Sequence, residues 1–170
     1  MVFSESFVLT GVSQKGVQAL AAALAQQAKT RDVIALSGDL GAGKTVFAKA
    51  FIRALTRQDE DVPSPTFTLV QTYEARQNEK ELILWHFDLY RLKTAQEIYE
   101  TGFEEALADG ISLIEWPERA EGLLPKNRLT IQLEIPADAI DKRNVTITAN
   151  GSSWVQRMEK IKTCLSVQSF

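Results

Sequence analysis

Gly38-Asp39-Leu40-Gly41-Ala42-Gly43-Lys44-Thr45 is the stretch on which the reading of this chain turns. It follows the apolar run Val33-Ile34-Ala35-Leu36, which predicts a buried strand. It precedes Val46, Phe47, Ala50, Phe51, Ala54 and Leu55, which recur at helical spacing. Strand, glycine-rich turn and helix is the setting in which G-x-x-x-x-G-K-T forms a phosphate-binding loop. The glycines let the backbone curl until its N–H groups converge on an anion at the positive end of a helix dipole. Gly38, Asp39, Leu40, Gly41, Ala42 and Gly43 would form the cradle, Lys44 would reach the β- and γ-phosphates, and the Thr45 hydroxyl would take Mg2+. A bound nucleoside triphosphate is the expectation.

The 170 residues suit one domain, 1–170, with 45% apolar content for its core. A net charge of −3 argues against non-specific grip on nucleic acid as the main task. The single cysteine, Cys164, forms no internal disulfide and fits a reducing compartment. No apolar run approaches the ~20 residues of a membrane span, and Met1–Ser6 lacks the basic start and apolar stretch of a secretory signal. The expected setting is cytoplasmic, with no membrane partner.

Working outward, Phe7-Val8-Leu9 reads as a short edge strand, and Ser13 as the N-cap of a helix with the stripe Val17, Leu20, Ala21, Leu24 and Ala28. Pro63 and Pro65 close a polar, acidic connection over 57–64. Residues 67–73 and 82–90 read as an antiparallel hairpin joined by the polar 74–81. A helix over 95–108 is broken by Gly102, and Ile111–Glu115 is a second buried strand ending on a carboxylate. Residues 129–135 and 144–149 alternate as a final strand pair. From Ser152 an amphipathic helix puts Trp154, Met158, Ile161 and Leu165 on one face and Arg157, Lys160 and Lys162 on others. The sum is an α/β fold: a P-loop NTPase-like three-layer sandwich with a mixed, mostly parallel sheet and an antiparallel hairpin.

Hydrolysis or transfer requires a second carboxylate near the metal and a group to position the attacking water. Glu115 stands where P-loop proteins carry the acidic Mg2+ partner; its arm, longer than the usual Asp, admits a direct or a water-bridged contact. Asp88 shares a strand face with His86 and Tyr90, so either Asp88 or His86 is a candidate to hold the water. Thr66, in Ser64-Pro65-Thr66, stands where nucleotide switches sense the γ-phosphate. Two other readings stay open: a small-molecule kinase, against which the lack of an arginine-rich lid counts, and a non-catalytic module that uses ATP as a conformational ligand. No N-K-x-D segment reads guanine, no Cys/His cluster suggests zinc, and no G-x-S-x-G suggests a hydrolase nucleophile.

Taken together, Gly38–Thr45, Ser64-Pro-Thr-Phe-Thr-Leu-Val70, His86-Phe-Asp-Leu-Tyr-Arg-Leu92 and Ile114-Glu-Trp-Pro-Glu118 resemble, in order and spacing, the bacterial TsaE (YjeE) family. These are ATPases of tRNA threonylcarbamoyladenosine biosynthesis, and the resemblance spans roughly residues 10–135. It implies ATP on the loop, Mg2+ held by Thr45 and Glu115, and a switch at Thr66. It also implies that Asp88 serves turnover near the metal, with Lys44 and Thr66 in the catalytic set, that Trp116 lies beside the nucleotide, and that adenine lies near Ser13 and Gln14. The implied partners are TsaB and TsaD, with TsaC in the same pathway. The tRNA, one that decodes ANN codons, would be gripped mainly by the partners.

Overall fold

A computed structural model describes residues 3–120 and 122–167; Met1 and Val2 of the signal-peptide reading lie outside the described residues. The elements run β1 (Ser4–Ser13), α1 (Gln14–Ala25), β2 (Val33–Ser37), α2 (Lys44–Leu55), β3 (Val70–Gln77), β4 (Lys80–Asp88), α3 (Ala95–Tyr99), α4 (Phe103–Asp109) and β5 (Ile111–Glu115). A short 3-10 turn (Pro117–Ala120), β6 (Arg128–Glu134), β7 (Lys142–Asn150) and α5 (Ser152–Ser166) complete the chain.

All strands join one seven-stranded sheet in the order β1-β7-β6-β2-β5-β4-β3. The centre is parallel, through the pairs β6–β2, β2–β5 and β5–β4, and both flanks are antiparallel, through β1–β7, β7–β6 and β4–β3. The mixed α/β sheet expected from the sequence is therefore present, with a hairpin at one edge. All of β5 is buried, so it reads as continuous apolar sequence closed by one acid.

Alternation along each strand divides the core between two faces. Ile34, Leu113 and Leu84 pack under α1, α2 and α5, whereas Val33, Ile114 and Phe87 pack under α3 and α4. On the first face α2 seats Phe47, Ala48, Phe51, Ile52 and Leu55, and the Phe47 and Phe51 rings stack at 6.4 Å. Each such ring removed from water is worth about 1.5–3 kcal/mol. The third layer covers only the β2-β5-β4 half of the second face. On the β6–β7–β1 half that face carries Thr130, Gln132, Thr146 and Thr148, polar side chains that need no cover.

Several boundaries differ from the sequence reading. β1 is ten residues long, with a register shift between Leu9 and Val12 where Gly11 takes φ 67°. The hairpin turn is only Asn78-Glu79, at φ 49° and 64°, because two consecutive positive φ angles match the twist of the flanking strands. Polar 74–81 is thus mostly strand on an exposed edge. Phe67 precedes β3, 81% exposed in a turn closed by Leu69 N–H donating to the Pro65 carbonyl, and Tyr90 lies beyond the end of β4. Gly102, at φ 81°, does separate α3 from α4, and Ser13 caps α1 by accepting the Gly16 N–H at 3.0 Å. Arg157, placed off the apolar face of α5, is buried nonetheless and forks onto Asp32 at 2.6 and 2.7 Å.

Candidate functional site

Parallel register brings the predicted residues together. Leu36, Glu115 and Asp88 are aligned across β2, β5 and β4, so the glycine loop, the Glu115 carboxylate and the Asp88 carboxylate emerge at one carboxyl edge of the sheet. That is where open α/β sheets hold their ligands. A cleft of about 460 Å³ opens there, lined by residues that include Lys44, Thr45, Thr66, Asp88, Glu115 and Trp116. A larger groove, about 1010 Å³ along β3 and residues 55–63, contains none of them.

The loop turns tightly at its first glycine. Gly38 has φ 139°, and a Cβ there would lie 2.3 Å from the Leu133 carbonyl oxygen. Gly43, at φ 109°, is the N-cap of α2, whose first turn carries no acid, so the helix dipole meets the cleft uncompensated. Lys44 is buried. Its Nζ donates to the Gly38 and Asp39 carbonyls and sits 3.8 Å from the centre of the Trp116 ring. Burial pushes the ammonium below its usual 10.5, against the raising pull of Glu115, Glu118, Asp88 and Asp39.

Glu115 is shared between two partners. One oxygen accepts the Thr45 hydroxyl at 2.9 Å, and the other meets His86 Nε2 at 2.8 Å. A carboxylate only accepts, so Nε2 donates to it, while Nδ1 is buried without a hydrogen-bond partner among the described residues. His86 is wholly buried behind Glu115 and is absent from the cleft lining, whereas Asp88 lines it. Asp88 accepts the Thr66 hydroxyl at 3.0 Å, the Ser64 hydroxyl at 3.2 Å and the Tyr90 N–H at 3.1 Å. The loop around Thr66 is thereby hooked to β4. Trp116 holds φ 58°, a conformation that costs a bulky residue about 1–3 kcal/mol, and its ring lies 4.9 Å from that of Tyr90. Ser64, Tyr90 and Arg91, which the sequence motifs contain but to which no role was assigned, also line the cleft.

The donor set suits Mg2+. Hydroxyl and carboxylate oxygens are the hard ligands it takes, and an octahedral ion with ~2.1 Å bonds sets adjacent ligands about 3 Å apart. The separation of Thr45 Oγ1 from Glu115 Oε2, 2.9 Å, matches that spacing. Among the described residues no three His, Cys, Asp or Glu side chains cluster so as to hold a metal ion by themselves.

A family description, "Threonylcarbamoyl adenosine biosynthesis protein TsaE", matches residues 12–145. The chain belongs to the TsaE family. It is 41% identical over 161 residues to tRNA threonylcarbamoyladenosine biosynthesis protein TsaE of Rickettsia felis, spanning 92% of this chain and 91% of that one. Against the Bacillus subtilis TsaE protein the identity is 38% over 153 residues, 88% of this chain and 90% of the other. The crystal structure of B. subtilis YdiB superposes with a TM-score of 0.71 at 32% identity, covering 96% of this chain and 97% of that one. A role in tRNA threonylcarbamoyladenosine biosynthesis follows for this TsaE-family chain. No helix among its described residues is long and apolar enough to cross a membrane.

Proposed function

We propose that this chain is the ATP-binding and ATP-hydrolysing component of that biosynthesis, a nucleotide-driven switch acting on TsaB and TsaD. The observation that carries the reading is the alignment of Gly38–Thr45, Glu115 and Asp88 on one sheet edge, with Thr66 hooked to Asp88 across the cleft. Residues 1–170 act as a single P-loop ATPase domain in the cytoplasm, and tRNA is gripped mainly by the partners, as the net charge of −3 suits.

The loop N–H groups and Lys44 bind the β- and γ-phosphates, and the α2 dipole favours their charge. Thr45 and Glu115 hold Mg2+, which when bound neutralises charge developing on the phosphates. His86 fixes the tilt of Glu115 from behind, as a positioning residue. Asp88, the carboxylate open to the cleft, orients the attacking water. Thr66 leaves Asp88 for the γ-phosphate, so the state of the nucleotide is converted into the order of the loop around it. Trp116 packs beside the nucleotide.

The test is ADP release by the chain alone, with TsaB and TsaD, and with tRNA added, each with Mg2+ and with EDTA. Slow turnover alone, lost in EDTA and faster with the partners, is expected. Phosphorylation of a small acceptor outpacing hydrolysis would establish a kinase instead. Assembly with the partners but no turnover under any condition would reduce the chain to a binding module.

A further inference from the structure

Arg143 lies outside every motif above, near the start of β7 and opposite Val12 of β1. Its side chain nevertheless reaches the phosphate loop, 101 residues away in sequence. Nε donates to the Ala42 carbonyl at 2.7 Å, and Nη2 to the Gly41 carbonyl at 3.1 Å. Nη1 binds the carbonyls of Ile140 and Lys142 at 2.8 and 2.6 Å. Among the described residues Arg143 forms no ion pair, so its charge is spent on backbone dipoles.

The consequence lies in the peptide plane. In a trans peptide C=O and N–H point in opposite directions. Holding the Ala42 carbonyl on Arg143 therefore turns the Gly43 N–H away from Arg143, and no backbone or side-chain partner among the described residues engages that N–H. The neighbouring Ala42 N–H is already spent on the Asp39 carbonyl at 3.0 Å. Successive carbonyls turned to one side is not a strand pattern; Gly41 at φ 79° and Gly43 at φ 109° permit it outside a helix, and the planar guanidinium fork matches it.

We propose that Arg143 is a positioning residue of the phosphate loop: its fork on Gly41 and Ala42 holds the Gly43 N–H inward, toward the β-phosphate of a bound nucleoside di- or triphosphate. The proposal rests on reading Gly38–Thr45 as a triphosphate loop. Lysine is a poor substitute, because a point charge on a flexible stem holds one carbonyl where the fork holds two.

The experiment compares the full chain with Arg143→Lys and Arg143→Ala. Hydrogen exchange is followed without ligand, and ADP and AMP affinities are measured in EDTA. For Arg143→Ala we expect faster exchange at residues 41–45 with α5 unchanged. ADP affinity should fall about tenfold, the scale of a lost charged hydrogen bond. AMP, which has no β-phosphate, should lose far less, and Arg143→Lys should lie between. Unchanged loop exchange overturns the proposal, and so does equal weakening of ADP and AMP alongside a lower melting temperature, which marks general destabilisation. If the unmutated chain binds neither ADP nor ATP, the reading of the loop fails, and the exchange measurement still decides whether Arg143 orders it.

Discussion

Lys44 is the residue through which the proposed phosphate binding acquires a pH dependence. Burial lowers its pKa below 10.5, and phosphate oxygens would raise it again. Below the lowered value the free protein already carries the charge, and binding takes up no proton. Above it, binding must add one, so ATP affinity should fall as pH rises in the alkaline range. Calorimetry in buffers of different ionisation enthalpy reads that uptake directly. Lys44→Arg should abolish the uptake, and Lys44→Ala should weaken binding by roughly 10–100-fold. Uptake persisting in Lys44→Arg would assign the proton to another group. That Lys44, Thr45 and Glu115 meet in one cleft was legible at this scale, because a motif fixes them by spacing along one strand or loop. The contacts of His86 and Arg143 were not. Their partners are set by strand register and by side-chain reach across the sheet, neither of which leaves a local signature.

At the scale of elements, the segment 64–69 meets the rest of the site through Asp88. Thr66 and Ser64 hold Asp88, and the Leu69 carbonyl accepts the Asp88 N–H at 3.0 Å. On the proposed function, Thr66→Ala would keep the groups that grip the phosphates but remove the hydroxyl that would report on them. We expect ATP affinity within about threefold of the unmutated chain. Turnover at saturating ATP should fall at least about tenfold, as for an interaction stronger in the transition state than in the ground state. Single-turnover hydrolysis alongside equilibrium binding separates the two, and equal losses in both would show that Thr66 merely binds. The sequence marked this loop through its prolines but ran the following strand three residues too early. Phe67 has the composition of a strand residue, yet the positive φ at Leu69 belongs to a turn that only tertiary hydrogen bonds select. At the hairpin, 74–81 looked like a linker because an edge strand carries polar side chains for protection.

Across the whole molecule, the rigidity of the carboxyl edge depends on what anchors the opposite end of the sheet. Asp32 stands immediately before β2, the strand that carries the phosphate loop, and its carbonyl accepts the Ser112 N–H at 2.9 Å at the start of β5. Its carboxylate takes the Arg157 fork from α5 and the Lys29 N–H at 2.7 Å. Arg157 also stacks over Trp154 at 3.7 Å and donates to the Gln27 carbonyl. The pair therefore ties α5, the end of α1 and the two central strands together at one buried point. Removing one partner leaves an uncompensated buried charge, at a cost of about 3–5 kcal/mol. At roughly 2–4 °C per kcal/mol for a chain of this size, Asp32→Ala should lower the melting temperature by about 10 °C. Asp32→Ala with Arg157→Met removes both charges and should recover much of that loss, because the desolvation cost disappears with the pair. Calorimetric melting of both variants provides the measurement, with ADP binding at 25 °C as the functional control. A double variant no better than Asp32→Ala would mean that the Arg157 contacts to Gln27 and Trp154, rather than the ion pair, hold α5 to the sheet.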